Sequence, residues 1–393
     1  MKILIVGYNL SMGGIQRALI NTLHIIAEDP CNEIDLFLFA NKGELVEELP
    51  KNVNVVSSNY LLTLTATPFS EVVKNGSLFD KMIRILLMIF VRLIGSTLYF
   101  KLLFSLQRKK KPYQVAISYF NDVPQGYFNR GSNQYVIGNV VADKKIAWIH
   151  TDLIKAQFNR ECCLKSYENF DTVVNVSKAG KAKFDRFIPE YEHKSAVVYN
   201  FFPYNTIRNG ADEFEPMDKS DKTHFVTVAR IDNATKRIDR VIEVVYLLKK
   251  AGYTGFKWWI VGDGPDWDKN YELADKYGVL EQLTFTGEKS NPLPYIKQAD
   301  IFVLASDYEG YPMVIGEALA LGTPVITTAY ASAAEQLDNG VNGIIVETDT
   351  QALFNALKAV LDDRSILVGL QDGSKKNRGS NEVAMKQLQD ILR

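Results

Sequence analysis

Short apolar runs dense in β-branched residues alternate along the chain with stretches whose apolar positions recur every three or four residues. The first kind reads as strands of a parallel sheet buried on both faces, the second as the helices that cover it. The alternation happens twice. One series of strands is predicted at 2–7, 34–40, 114–119, 145–149 and 172–176, and a second at 224–229, 257–261, 283–286, 301–305, 324–328 and 343–346. Between them, 205–223 is rich in Asn, Asp, Glu, Lys and Gly, lacks apolar periodicity and is predicted as a linker. The expected fold class is therefore α/β: two doubly wound parallel-sheet domains, 1–204 and 224–375, followed by a final helix over 376–393. Ligands of such domains bind beyond the carboxyl ends of the strands.

Residues 78–111 break the alternation. They are apolar yet punctuated by Lys81, Arg84, Arg92 and Lys101, and they end on Arg108-Lys109-Lys110-Lys111. No uninterrupted run is long enough to span a bilayer. At 3.6 residues per turn, Lys81, Arg84 and Arg92 share one sector and leave a wide apolar face, the pattern of an interfacial helix. A second segment is expected to begin near Gly95-Ser96, and the terminal cations suit anionic headgroups. Packing of both segments into the first domain is the competing reading.

Composition narrows the function classes. With 47% hydrophobic residues there is material for two cores, and a net charge of −1 gives no basic footprint for nucleic acid. Cys31, Cys162 and Cys163 form no disulfide framework and His24, His150, His193 and His224 are dispersed, so no metal site is expected and a reducing cytoplasm is the simpler compartment. The first residues, Met1 to Gly7, read as a buried strand rather than a signal peptide.

The candidate chemistry lies at strand ends. The predicted strand 301–305 runs into Ser306-Asp307-Tyr308-Glu309-Gly310-Tyr311-Pro312, with Pro312 expected at the first helical position and the helix continuing to a stop at Gly322. Free N–H groups at that helix start suit a phosphate. Glu309 in the turn and Glu317 in the second helical turn are acceptors for sugar and ribose hydroxyls, although Glu317 alone would equally serve as a solvated helix position. Arg230 follows the strand 224–229 and Lys236 comes six residues later, a fork and a point charge for a diphosphate; Arg237 and Arg240 close by make a solvated basic loop the alternative. Gly13 and Gly14 fall in the first βα loop without the G-x-G-x-x-G pattern of dinucleotide dehydrogenases. Gly262-Asp263-Gly264-Pro265 is a turn by its composition. His150 closes the strand 145–149, and Asp152 is either an acceptor contact or the cap of a helix starting there.

Taken together, Glu309 through Glu317, Met12-Gly13-Gly14, Trp148 through Asp152, Val176-Ser177-Lys178, Val228-Ala229-Arg230 with Lys236, Val261 through Pro265, Gly322-Thr323-Pro324-Val325 and Glu335 resemble, in order, the motifs of retaining glycosyltransferases of family 4. The likeness covers most of the chain, with Gln16 standing where many members carry Glu. It implies a GT-B fold, two Rossmann-like domains facing across a cleft, with acceptor binding in the first and donor binding in the second. It further implies transfer of a hexosyl or N-acetylhexosaminyl group from a nucleoside diphosphate sugar, most commonly uridine-linked, with retention and without a metal or other cofactor. The carried-over roles are catalysis by Glu309, His150, Arg230 and Lys236, donor binding by Gly13, Gly14, Gly262, Gly310, Tyr311, Pro312 and Glu317, and acceptor binding by Asp152. The chain is similar to bacterial enzymes that build capsule or O-antigen units on a polyprenyl diphosphate, which would place it at the inner face of the cell membrane. A catalytically silent sugar-nucleotide binding module and a GT-B epimerase are the alternatives.

Overall fold

A computed structural model describes residues 1–56, 58–107, 112–122, 130–217, 221–376 and 379–393. The chain divides into two units, Met1–Phe201 with Glu382–Arg393, and Phe202–Asn381. The first holds a seven-stranded sheet of β1 (Lys2–Gly7), β2 (Glu33–Leu38), β3 (Val53–Val56), β4 (Tyr113–Ser118), β5 (Ala142–Ile149), β6 (Thr172–Asn175) and β7 (Ser195–Val197), in the order β3-β2-β1-β4-β5-β6-β7. The second holds six: β8 (Thr223–Val228), β9 (Phe256–Val261), β10 (Leu283–Gly287), β11 (Ile301–Leu304), β12 (Val325–Thr328) and β13 (Gly343–Val346), ordered β10-β9-β8-β11-β12-β13. Every strand pair in both sheets is parallel.

The reason is visible in the strands. Ile3 to Val6 and Ile301 to Leu304 are completely buried, as central parallel strands covered on both faces must be. The strand order reverses between β1 and β4 in one sheet and between β8 and β11 in the other, which fixes where ligand loops of doubly wound sheets emerge.

Two expectations need correction. The stretch predicted as linker begins as a helix, Tyr204–Gly210, and belongs to the second unit: Ile207 is buried, the Gly210 carbonyl accepts from the Asn291 amide at 2.7 Å, and the Met217 N–H donates to Gln298 Oε1 at 3.1 Å. One buried apolar residue per turn is too weak a signal to read as periodicity. The final helix expected over 376–393 is found at Glu382–Leu392 and groups with the first unit, after a separate helix, Arg364–Lys376, in the second. The edge strands β3 and β7 are extra; at four and three residues they are defined by pairing, not by their own pattern.

The helix Leu78–Ile94 opens on a capping box between Ser77 and Asp80, and a separate helix, Ser96–Ser105, follows Gly95 at φ 80°. Leu87, Val91 and Ile94 pack on the core of the first unit. The opposite side is exposed: Leu78, Phe79, Met82, Leu86, Ile89 and Leu93, with Leu93 at 74%. No helix among the described residues is long and apolar enough to cross a membrane. The basic cluster 108–111 lies outside the described residues.

Candidate active site

In the second unit the two loops at the strand reversal carry the predicted charges. After β8 the chain passes Ala229 to Arg230, and its path is set by Gly262. That glycine has φ 144°, and a Cβ there would sit 1.9 Å from the Ala229 carbonyl oxygen, so only glycine permits this approach. The Ile231 N–H then donates to the Asp263 carbonyl at 2.9 Å. Arg230 leaves this braced turn exposed to solvent. Gly262 therefore shapes the site while Arg230 supplies charge.

Lys236 turns back toward the loop after β11. Its Nζ donates to Glu309 Oε1 at 2.5 Å, and the Ser306 hydroxyl donates to the same oxygen at 2.7 Å. The Glu309 side chain is only 12% exposed. With two donors on Oε1, the carboxylate is held in one orientation and Oε2 is left to face a ligand. Ser306 is itself fully buried and locked by the Thr328 hydroxyl, which donates to its carbonyl at 2.5 Å.

Gly310 and Tyr311 complete the turn. Pro312 is the residue before the helix rather than its first member: its φ of −63° suits a helix, but ψ of 127° keeps it extended, and its carbonyl accepts from the Gln336 amide at 3.0 Å. The helix Met313–Leu321 then begins with no side-chain cap for its first N–H groups, and it ends at Gly322, left-handed at φ 77°. Glu317 is half-buried one turn further in. Tyr330, buried close enough to Glu309 and Tyr311 to feel their charges, has its hydroxyl pKa raised by burial foremost.

The first unit's loops carry less charge. Gly13 precedes the helix Gly14–Ala27 in extended backbone, φ 171°; a Cβ on it would meet the flexible Gln16 side chain, and one on Gly14 would meet nothing within 4 Å. Neither position requires glycine sterically. Gln16 bonds Asn9 Oδ1 at 3.4 Å, tying this loop to the end of β1.

His150 ends β5. Its N–H donates to Asn121 Oδ1 at 2.7 Å and its ring Nε2 meets the Tyr119 carbonyl at 2.8 Å. A carbonyl only accepts, so Nε2 carries the proton and Nδ1 presents a lone pair. The ring lies 4.8 Å from that of Tyr119 and stacks beside Trp148, and burial lowers its pKa to about 3. His150 is thus a neutral acceptor at physiological pH.

Asp152 does different work from that expected. Its Oδ1 accepts from the Ile154 and Lys155 N–H groups, both at 3.1 Å, and its Oδ2 pairs with Lys183, leaving the side chain 4% exposed. It closes a turn, not a helix; the next helix, Arg160–Tyr167, starts later with Asn159 as its cap.

Two all-parallel doubly wound sheets, with candidate loops where each strand order reverses, define the GT-B class. Solved structures share this fold: Anabaena Alr3699/HepE, determined in complex with UDP, matches 100% of this chain and 99% of its own with a TM-score of 0.70 at 18% identity. Residues 211–377 match the family model for glycosyl transferases group 1. Among relatives, a Rhizobium meliloti lipopolysaccharide core biosynthesis glycosyltransferase, LpsE, is 30% identical over 123 residues, 31% of this chain and 36% of its own. A Campylobacter jejuni N-acetylgalactosamine-N,N'-diacetylbacillosaminyl-diphospho-undecaprenol 4-alpha-N-acetylgalactosaminyltransferase is 28% identical over 211 residues, 53% of this chain and 56% of its own. These matches span well under two thirds of either relative's length.

Proposed function

We propose that this chain is a retaining glycosyltransferase that moves a hexosyl or N-acetylhexosaminyl group from a uridine diphosphate sugar to a sugar hydroxyl of a lipid-linked or polysaccharide acceptor, in surface polysaccharide synthesis. The observation that carries the reading is the shared grip of Lys236 and Ser306 on one oxygen of Glu309, in a unit that also holds exposed Arg230 and the uncapped start of the helix Met313–Leu321. A lone, oriented carboxylate suits a sugar hydroxyl, and the surrounding positive charge suits a diphosphate.

In the front-face mechanism the C1–O bond to the diphosphate breaks and the new C1–O bond forms on the same face. The departing phosphate oxygen takes the acceptor's proton. Arg230, Lys236 and the helix N–H groups stabilise the charge that develops on the leaving group, which is a transition-state interaction. His150 Nδ1 accepts from a hydroxyl of the donor sugar, Glu317 holds the ribose, and Gly13, Gly14, Gly310 and Tyr311 line the donor. Asp152 is left out of the acceptor contacts, because one of its oxygens is engaged in its own turn and the other by Lys183. No metal is required in this scheme, so activity should persist in chelator.

The acceptor side rests on the exposed apolar face of Leu78–Ile94, which suits the headgroup boundary of an anionic bilayer at the inner side of the cell membrane. Arg84, on its inward flank, has a buried Nε without a partner and lies within electrostatic reach of Tyr8 at the end of β1, a fitting place for an acceptor phosphate. The Campylobacter relative, whose name specifies a diphospho-undecaprenol acceptor, supports the same direction.

The experiment is a thermal-shift and hydrolysis panel of uridine, guanosine and thymidine diphosphate sugars, with and without chelator, on the wild type, Arg230→Ala and Glu309→Ala. Stabilisation by one nucleotide with slow, mutant-sensitive sugar release supports the transferase. Binding without release points to a silent module, and an epimerised donor to an epimerase.

A further inference from the structure

Four cations follow β8 within eleven positions: Arg230, Lys236, Arg237 and Arg240. Two of them are neutralised inside the fold. The Arg240 side chain is 4% exposed; its Nη2 donates to Asp307 Oδ1 at 2.7 Å and its Nη1 to the Ala305 carbonyl at 2.6 Å. Arg237 donates from Nη1 to Asp307 Oδ2 at 3.1 Å and from Nε to Asp239 Oδ1 at 3.0 Å. The Asp307 N–H, in turn, donates to the Thr235 carbonyl at 2.9 Å. One residue, two positions before Glu309, thus joins the loop after β11 to the loop after β8 through its backbone and both carboxylate oxygens.

Arg237 shows what this clamp does. Its backbone is left-handed, φ 53° and ψ 51°, an unfavourable conformation for a residue with a Cβ. Such conformations persist only where their surroundings over-determine them, and they cluster at working sites. Here the surroundings are the carboxylates of Asp239 and Asp307. The residue just before the bend is Lys236, whose ammonium meets Glu309.

We propose that Asp307 is a positioning residue for transfer: with Asp239 it holds Arg237 left-handed, which aims Lys236 at Glu309 and the donor phosphate, and it removes Arg237 and Arg240 from the charge offered to the ligand. The inference rests on the reading of Lys236 and Glu309 as donor-site residues. It assigns to Arg237 a backbone role, not a phosphate contact, despite its place in the basic loop.

The test separates backbone geometry from charge. Glycine enters the left-handed region freely and a β-branched residue does not, so Arg237→Gly should keep turnover within about twofold of wild type while Arg237→Val loses roughly tenfold or more. Asp307→Asn should lose turnover by about tenfold with the donor KM moving less than threefold, and adding Arg237→Gly should restore most of it. Melting temperatures on the same samples give the folded fraction. Equal losses in Arg237→Gly and Arg237→Val, or an Asp307→Asn defect that vanishes once rates are scaled to folded protein, would overturn the proposal. A second measurement needs no activity: the Lys236→Met and Glu309→Gln double-mutant cycle in stability, run in the wild type and in Asp307→Asn. A coupling that shrinks in Asp307→Asn supports the clamp and an unchanged coupling overturns it, whether or not any donor proves to be a substrate.

Discussion

The carboxyl ends of β1 and β8 occupy equivalent places, each beside the reversal of its sheet's strand order, yet they are furnished with opposite materials. Beyond β8 and β11 the groups are ionised and cross-linked: Lys236 on Glu309, Arg237 and Arg240 on Asp307, with Arg230 exposed beside them. At the ends of β4 and β5 the cluster around His150 is neutral and aromatic: Tyr119, Trp148, and a His150 whose pKa burial has pulled to about 3, with the Asp152–Lys183 pair closed on its own turn. In the proposed reaction, fixed charge is assigned to holding a diphosphate and stabilising its leaving group, and a neutral acceptor to orienting a hydroxyl without competing for the phosphate's countercharge. The same architecture can carry either set because the sheets supply only the platform.

The strongest way to break this comparison is to remove an exposed cation that follows β8. Arg230→Ala should lower turnover by roughly 10²- to 10³-fold, as loss of an oxyanion donor does, while the donor KM moves only severalfold. A defect confined to KM would make the second unit a binding platform, no different in kind from the first. Lys236→Met is expected to cost roughly 10- to 100-fold in turnover and to lower the melting temperature, because Glu309 is left mostly buried without its cation. Lys236→Met with Glu309→Gln should regain the stability but not the turnover, which separates the pair's structural and chemical contributions.

Smaller effects sharpen the first unit's side. Leu86→Asp with Leu93→Asp places charge on the exposed face of Leu78–Ile94, and each lost leucine contact with a bilayer is worth about 1.5–3 kcal/mol. Flotation with anionic vesicles should be abolished while donor hydrolysis stays within about twofold of wild type. Flotation that survives would return this helix to a purely structural role. The pH dependence sharpens the comparison at His150. Its folded pKa lies below the unfolded value near 6.5, so between pH 6.5 and about 3 the unfolded chain binds a proton the native state refuses, and stability falls as pH drops through that window. His150→Gln should flatten that part of the melting-temperature profile, and turnover should show no His150 ionisation near pH 6.5.

What was legible in the sequence follows from the range of the interactions involved. The central strands and the loops after β8 and β11 were readable because a buried run, a turn and a helix succeed one another within about twenty residues. Arg230, Lys236 and Glu309 were singled out from that succession together with the family resemblance, and the structure brings Lys236 and Glu309 together. Ser306 and Asp307 were read only as turn residues, because most of their partners, Glu309 apart, sit 22 to 72 residues distant in the chain. Pro312 was placed one position too far into its helix: its φ fits the first turn, and only the Gln336 bond to its carbonyl reveals the extended ψ. Asp152 precedes a turn whose helical look comes from local hydrogen bonds, and Lys183, its ion-pair partner, lies 31 positions on. Only the doublet Asp307 and Arg240, acid and base each beside a buried run, could have hinted at the clamp.

The account's central claim is glycosyl transfer with retention at the site formed by Arg230, Lys236 and Glu309. Its most direct test is proton NMR of the sugar first released from the uridine diphosphate sugar that stabilises the protein, recorded before the anomers equilibrate. From an α-linked donor, the account predicts that the α anomer appears first, at a rate that collapses in Glu309→Ala and Arg230→Ala. Initial release of the β anomer, or release indifferent to both substitutions, would contradict it.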